Sequence, residues 1–193
     1  MQAFHNDQAI KDKYLNRVLE HQKTDEIIKG VYWQKGKGCA VGCTIHDSDH
    51  SKYETELGIP RWMARLEDRI FEGLPNERAM LWPVEFLNAV NVGSDLSKCL
   101  RPMLIFIVEF AKELAKSEKS KEVCEGVLIE LRKEVSDIKL LRKDASASAV
   151  DAATYASAYT YTVSAVAASA FAARKDCYAK FADELLRLIR ECK

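Results

Sequence analysis

Apolar residues recur every three or four positions along most of this chain, which is the spacing of one face of an α-helix. Only 8 Gly and 4 Pro interrupt the 193 residues. The periodic segments are residues 6–21, 60–72, 76–90, 102–116, 124–141 and 177–192. The sequence therefore predicts an all-α fold, built as a single compact multi-helix domain over residues 1–193.

The charges exclude some classes of partner. The chain has 29 Lys and Arg and 29 Asp and Glu. Residues 1–100 contain 13 of the basic and 15 of the acidic residues, so both halves are balanced. This balance gives no basic surface of the kind that sequence-specific nucleic-acid binding requires. The first residues lack a signal-peptide pattern, and six irregularly spaced Cys do not indicate a secreted disulfide framework. We therefore expect a cytoplasmic protein.

An Ala-rich segment over residues 145–173 has no charge between Asp151 and Arg174. Six Ser and Thr hydroxyls lie in that uncharged span, which argues against a membrane helix. We predict a buried helix instead. Its row of small side chains is compatible with packing inside one chain and equally with packing across a homodimer.

Residues 31–58 are the least regular part of the chain. Five of the eight glycines fall between residues 30 and 58, and the same stretch is rich in Cys and His. We expect an irregular segment here, with at most a short strand at residues 31–33. The chemistry suggested by the sequence is concentrated in this segment.

Four potential metal ligands follow one another as C-x3-C-x2-H-x3-H: Cys39, Cys43, His46 and His50. Thiolate sulfur and imidazole nitrogen are the ligands of structural zinc. One continuous helix would spread the four over about 16 Å of its axis, so zinc requires a break in the backbone. Alternatively, positions 39, 43, 46, 50, 53 and 57 describe one helical face that is simply core.

A nucleophilic role for Cys39 is a third hypothesis. Nearby lysines and a helix that begins at Cys39 would both stabilise a thiolate. His50, or alternatively His46, is then the candidate base.

A fourth hypothesis is a ligand site at the YWQKGKG stretch, where aromatic rings precede two lysines. Backbone amides and lysines would contact an anionic group, and a ring would stack on a base. The P-loop spacing is absent. The candidate ligand-binding residues are Trp33, Lys35, Gly36, Lys37 and Gly38.

Carboxylates in residues 54–72 also admit two interpretations. His50 is one helical turn from Glu54, and Glu67 and Asp68 could supply further oxygens to a metal. Arginines alternate with these carboxylates, so we expect a solvated ion-pair face instead.

The strings GKGCAVGC and YETELGIP resemble a family of small bacterial and bacteriophage proteins without an assigned function. The resemblance covers roughly residues 26–95 and brings no catalytic residues with it. It implies a prophage or mobile-element accessory protein, a setting in which small proteins bind host proteins or signalling nucleotides. We therefore expect a protein that binds a host protein or a small anionic ligand. The alternative is a Cys/His-based or metal-dependent hydrolase or transferase.

Overall fold

The structure is a computed structural model that describes residues 1–133 and 174–192, without the side chains of residues 174–176. Two short 3₁₀ segments, Ala3–Asn6 and Leu96–Cys99, accompany the regular elements. The helices and strands are α1 (Gln8–Lys23), β1 (Trp33–Gln34), β2 (Lys37–Gly38), α2 (Ala40–Ile45), α3 (Lys52–Leu57), α4 (Arg61–Gly73), α5 (Asn76–Ala89), α6 (Leu100–Leu114), α7 (Glu118–Arg132) and α8 (Arg174–Glu191).

The predicted all-α class is confirmed, since helices dominate and the β1–β2 hairpin contributes four strand residues. The chain divides into two compact units, residues 1–100 with 174–193 and residues 101–173. That residues 1–193 form a single domain stays a prediction. The predicted Ala-rich helix over residues 145–173 lies outside the described residues.

The first unit is built on helices whose apolar faces match the predicted periodicity. Helix α1 packs on α2 and α5, α4 packs on α2, α5 and α8, and α5 also packs on α8. The predicted face of the last helix is buried. Its members are Cys177, Phe181, Leu185, Leu188 and Cys192.

Two residues do not act as the sequence predicts: Asn6, at the start of the first periodic segment, is expected to cap its helix, and Pro83 is expected to kink or split the helix over residues 76–90. Asp7, and not Asn6, caps α1, because its side chain accepts the N–H of Ala9 while Asn6 is left-handed with φ 59°. Pro83 lies inside α5 and does not split it. The first residue of α5 is Asn76, which follows Pro75 in the capping position.

The predicted irregular segment consists of the hairpin, α2, a turn and α3. Helix α2 ends at His46, whose left-handed backbone (φ 55°, ψ 39°) terminates it. Asp47 then accepts the N–H of Asp49, which forms a local turn before α3. The continuous helical face proposed over positions 39–57 is therefore wrong, although Cys39, Cys43 and Tyr53 are buried as it predicts.

In the second unit, α6 and α7 are joined by side-chain contacts. Lys112 of α6 forms an ion pair with Glu125 of α7, and Arg132 forms one with Glu109. Leu128 and Leu131 supply the buried positions of α7. The predicted stripe beyond Lys133 lies outside the described residues.

A separate search for membrane spans covered the described residues. No helix among them combines the length and apolar character needed to cross a bilayer.

Candidate functional site

The β1–β2 hairpin carries all five predicted ligand-binding residues. Lys35 (φ 51°) and Gly36 (φ 81°) form a tight turn in which both residues are left-handed, as hairpins of this length favour. The side chains of Lys35 and Lys37 are exposed, and Trp33 is half-buried. A Cβ atom on Gly38 would lie 2.2 Å from the backbone oxygen of Tyr32. Gly38 therefore permits close packing of the hairpin rather than approach of a ligand.

Cys39 and Cys43 lie beneath this hairpin. Cys39 caps α2, where its sulfur accepts the N–H of Gly42 at 3.5 Å, and the Cys43 thiol donates to the oxygen of Gly38 at 3.3 Å. Cys39 is 1% exposed. Burial, followed by the charge of Asp68, raises the pKa of the Cys39 thiol. Burial raises the pKa of Cys43 to about 12.

These thiols differ from the exposed thiolate that the Gly- and Lys-rich context suggests. Both carry their protons at neutral pH, because the hairpin removes them from water and a buried thiolate would lose its solvation. The lysines that precede Cys39 in sequence extend into solvent. Proximity along the chain therefore does not give the sulfur a cationic environment.

Two histidines from different helices meet next to the hairpin. The Nε2 atom of His21, in the last turn of α1, is 2.7 Å from the Nε2 atom of His46. The Nδ1 atom of His21 is 2.7 Å from a carboxylate oxygen of Glu26. Because a carboxylate only accepts, Nδ1 of His21 carries a proton. We call His21 and His46 the histidine pair.

Trp33 stacks on His46, which is the exposed member of the histidine pair. Its ring stacks on the His46 imidazole with centroids 4.5 Å apart and planes inclined by 11°. It also meets His21 edge to face at 5.5 Å. Partial burial, followed by the positive charge of Arg17, lowers the pKa of His46. His46 is therefore neutral at pH 7 and available as a ligand or an acceptor.

Acidic side chains are buried between α2, α3 and α4. We call Cys39, Tyr53, Glu67 and Asp68 the buried acid cluster. Glu67 is fully buried, and Asp68 is 9% exposed beside the Cys39 thiol. At its outer edge, Nε2 of His50 is 3.7 Å from Oδ2 of Asp68. The solvated face predicted for Glu67 and Asp68 is therefore wrong, since α2 and α3 cover that side of α4.

The buried acid cluster has unsatisfied polar atoms. Within the described residues, neither carboxylate oxygen of Glu67, nor the Tyr53 hydroxyl, nor Oδ1 of Asp68 has a well-formed hydrogen bond. Burial, followed by the charge of Asp68, holds the pKa of Glu67 well above its ordinary range, and burial raises that of Tyr53. Glu67 is therefore a protonated acid at neutral pH.

The four predicted zinc ligands have different partners. Cys39 and His50 both lie near Asp68, Cys43 bonds backbone oxygens, and His46 pairs with His21. Across residues 1–133 and 174–192, no group of three or more His, Cys, Asp or Glu is arranged to hold one metal ion.

A cavity of about 690 Å³ lies at the ends of α4 and α5. Its lining includes Lys29, Arg69, Glu72 and Tyr178, so both signs of charge face it. None of the predicted site residues lines this cavity.

Sequence reasoning missed His21, Glu26 and the burial of the two α4 carboxylates. His21 falls on the apolar face of α1, which correctly predicts its burial but not its partners. Comparison of the chain with protein-family models, with curated proteins and with solved structures gives no match. The function must therefore be argued from the site itself.

Proposed function

We propose that the protein binds a small anionic ligand at the surface formed by Tyr32, Trp33, Lys35, Lys37 and His46, which we call the hairpin surface. The resemblance that the sequence suggests between residues 26–95 and small bacterial and bacteriophage proteins is the reason for proposing an accessory role of this kind. The observation that carries the proposal is His46, an exposed imidazole fixed between Trp33 and His21.

Unpaired positive charge supports the anionic character of the ligand. Lys35 and Lys37 are exposed and form no ion pair within the described residues. Arg17 donates to the backbone oxygen of Thr44 at 2.8 Å and brings a further charge close to His46. Glu26 accepts from His21, so part of its negative charge is already engaged. The negative charge of an anion bound at this surface would be attracted by the positive charges of Lys35, Lys37 and Arg17.

Aromatic surface supports a ligand with a flat group. Tyr32 is 53% exposed, although its ring forms a T-shaped pair with His50, with centroids 5.3 Å apart. One face of Trp33 is covered by His46. Tyr32 therefore offers more free ring surface than Trp33, and a nucleotide base would stack there.

The experiment is titration of the protein with inorganic phosphate and with a panel of nucleotides and cyclic dinucleotides. Binding should raise the melting temperature and change Trp33 fluorescence. Lys37→Ala and Lys35→Ala should weaken binding, whereas Lys121→Ala, on α7, should not. If neither signal changes at millimolar concentration, the small-ligand form of the proposal fails and binding of a host protein is the form that survives.

An enzyme that uses Cys39 and His50 is the second candidate, because Asp68 contacts both side chains. Asp68 is the contact that the thiol and the imidazole share, whereas a triad needs the base in contact with the nucleophile itself. Cys39→Ser separates the two functions. Ligand binding at the hairpin surface should survive this change, and thiol-dependent catalysis should not.

A further inference from the structure

The histidine pair belongs to a hydrogen-bonded chain whose direction is set by Glu26. The hydrogen bond from His21 lowers the pKa of Glu26, so this carboxylate is ionised at pH 7 and only accepts. Nδ1 of His21 is therefore the donor, and in a neutral imidazole the second nitrogen, Nε2, is then an acceptor. The 2.7 Å contact between the two Nε2 atoms is accordingly a hydrogen bond that His46 donates to His21.

The other ring nitrogen of His46 is an acceptor for the same reason. A neutral His46 has one ring proton, which Nε2 uses in the bond to His21, so Nδ1 carries a lone pair. Trp33 covers one face of the ring and His21 meets the Nε2 end, which leaves the second face and the edge with Nδ1 uncovered by these two neighbours. Within the described residues Nδ1 of His46 forms no hydrogen bond. The chain therefore ends in an unpaired acceptor on an exposed residue of the hairpin surface.

From this chain we propose that the hairpin surface selects an anion that carries its own hydrogen-bond donor, with hydrogen phosphate as the reference case. The inference rests on the proposed function and names the class of its ligand. The O–H group of the anion donates to Nδ1 of His46. Lys35, Lys37 and Arg17 attract the negative charge, as they would attract that of any anion. His46 is thus the residue that determines specificity.

Sulfate is the anion that this surface should reject. Sulfate and phosphate are both tetrahedral and similar in size, but at pH 7 phosphate retains at least one O–H group and sulfate has none. A sulfate oxygen next to Nδ1 of His46 would place two acceptors opposite each other and leave the nitrogen without a hydrogen bond. A site that accepts from a hydroxyl group discriminates against an analogue without that group. We therefore expect phosphate to bind at least about tenfold more tightly than sulfate.

Glu26 is a positioning residue in this scheme, because it acts on the anion only through the two imidazoles. A Gln side chain at this position can donate to Nδ1 of His21 as well as accept from it. When it donates, each hydrogen bond of the chain reverses, and Nδ1 of His46 becomes a donor that suits sulfate. Glu26→Gln also removes a negative charge, which should strengthen the binding of both anions alike. Only the ratio of the two affinities therefore reports the direction of the chain.

The test is calorimetric titration of the full-length protein with sodium phosphate and with sodium sulfate, at pH 7 and equal ionic strength. The unmodified protein should prefer phosphate by at least about tenfold. His46→Gln should bind the two anions with nearly equal affinity, because an amide both donates and accepts. Glu26→Gln should also lose most of the preference. Glu20→Gln is the matched control, since Glu20 is an exposed carboxylate of α1 that pairs with Lys23, and this variant should retain the preference.

The tautomer of His46 provides a second measurement that needs no ligand. Two-bond ¹⁵N–¹H correlation spectra of the labelled protein at pH 7 should show Nε2 of His46 protonated and Nδ1 unprotonated. A proton on Nδ1 overturns the proposal, because the chain would then run in the opposite direction. Equal affinities of the unmodified protein for phosphate and sulfate also overturn it, and they leave the proposed function standing. If neither anion binds, the proposed function fails and the selectivity fails with it.

Discussion

The backbone oxygen of Tyr32 lies 1.6 Å from the position that a Cβ atom would take on Gly42. Gly42 is inside α2, so its missing side chain is what allows the backbone at Tyr32, just before β1, to lie directly on the helix. This contact closes the hairpin over Cys39 and Cys43 and sets the position of Trp33 against His46.

Gly42→Ala should therefore destabilise the protein, by about 3 kcal/mol, because the methyl group cannot fit without backbone movement. Urea unfolding monitored by circular dichroism measures the change. Gly126→Ala is the matched control, since nothing lies within 4 Å of a Cβ atom there and the residue is inside α7. That variant should gain about 0.5–1 kcal/mol from helix propensity. Equal urea midpoints for Gly42→Ala and the unmodified protein would contradict the packing.

Glu67→Gln should change how stability depends on pH. The pKa of Glu67 is raised in the folded protein, so the folded state binds a proton that the unfolded state has released above pH about 4.5. Stability of the unmodified protein must then fall as pH rises from that value towards the folded pKa. Glu67→Gln cannot lose stability in this way. Its free energy of unfolding, relative to that of the unmodified protein, should therefore increase between pH 5 and 7 by up to about 1.4 kcal/mol per pH unit.

Denaturant unfolding at several pH values measures this difference in the free energy of unfolding between the variant and the unmodified protein. Glu72→Gln removes a carboxylate from the same helix outside the buried acid cluster, where Glu72 accepts the N–H of Gly30 at 2.9 Å. If the two variants show the same pH dependence relative to the unmodified chain, Glu67 is not the protonated acid described here.

The helices could be predicted because their signals are local. Residues three or four positions apart lie on one face of a helix. Apolar residues at that spacing along α4 and α8 therefore identify the face of each helix that packs against the core. Met63, Ile70 and Leu185 are buried as this spacing requires.

The sites could not be predicted, because they depend on how distant segments meet. His21 and His46 are on different helices, and only the left-handed turn at His46 brings them together. Glu67 and Asp68 alternate with exposed arginines in sequence, which is the usual pattern of a solvated face. The short helices α2 and α3, which cover these carboxylates, have too few residues to show a clear period.

Cys124 should be the first thiol to react with an alkylating reagent. All six cysteines are free, and Cys124 is half-buried whereas the other five are buried. Cys39 and Cys43 should react only on unfolding, since burial keeps both thiols protonated and shielded. Peptide mapping after timed iodoacetamide treatment identifies the order, and Cys124→Ser should remove the fast phase. Rapid labelling of Cys39 in the folded protein would instead favour the thiol-dependent enzyme.

Trp33 fluorescence should report the protonation of His46. Their rings are stacked at 4.5 Å, and a protonated imidazole quenches an indole in contact with it more strongly than a neutral one does. Because the pKa of His46 is lowered, the fluorescence should fall on acidification with a midpoint below the ordinary histidine value of about 6.5. His46→Gln should abolish this transition. Trp33→Phe should also abolish it, because the remaining tryptophans, Trp62 and Trp82, lie on α4 and α5. His50→Gln should retain it, because His50 contacts Tyr32 and not Trp33. A midpoint above 6.5, or a transition that survives in His46→Gln, would show that this imidazole is not held neutral against Trp33. Bound anion should move the midpoint upward, since negative charge next to His46 favours its protonated form.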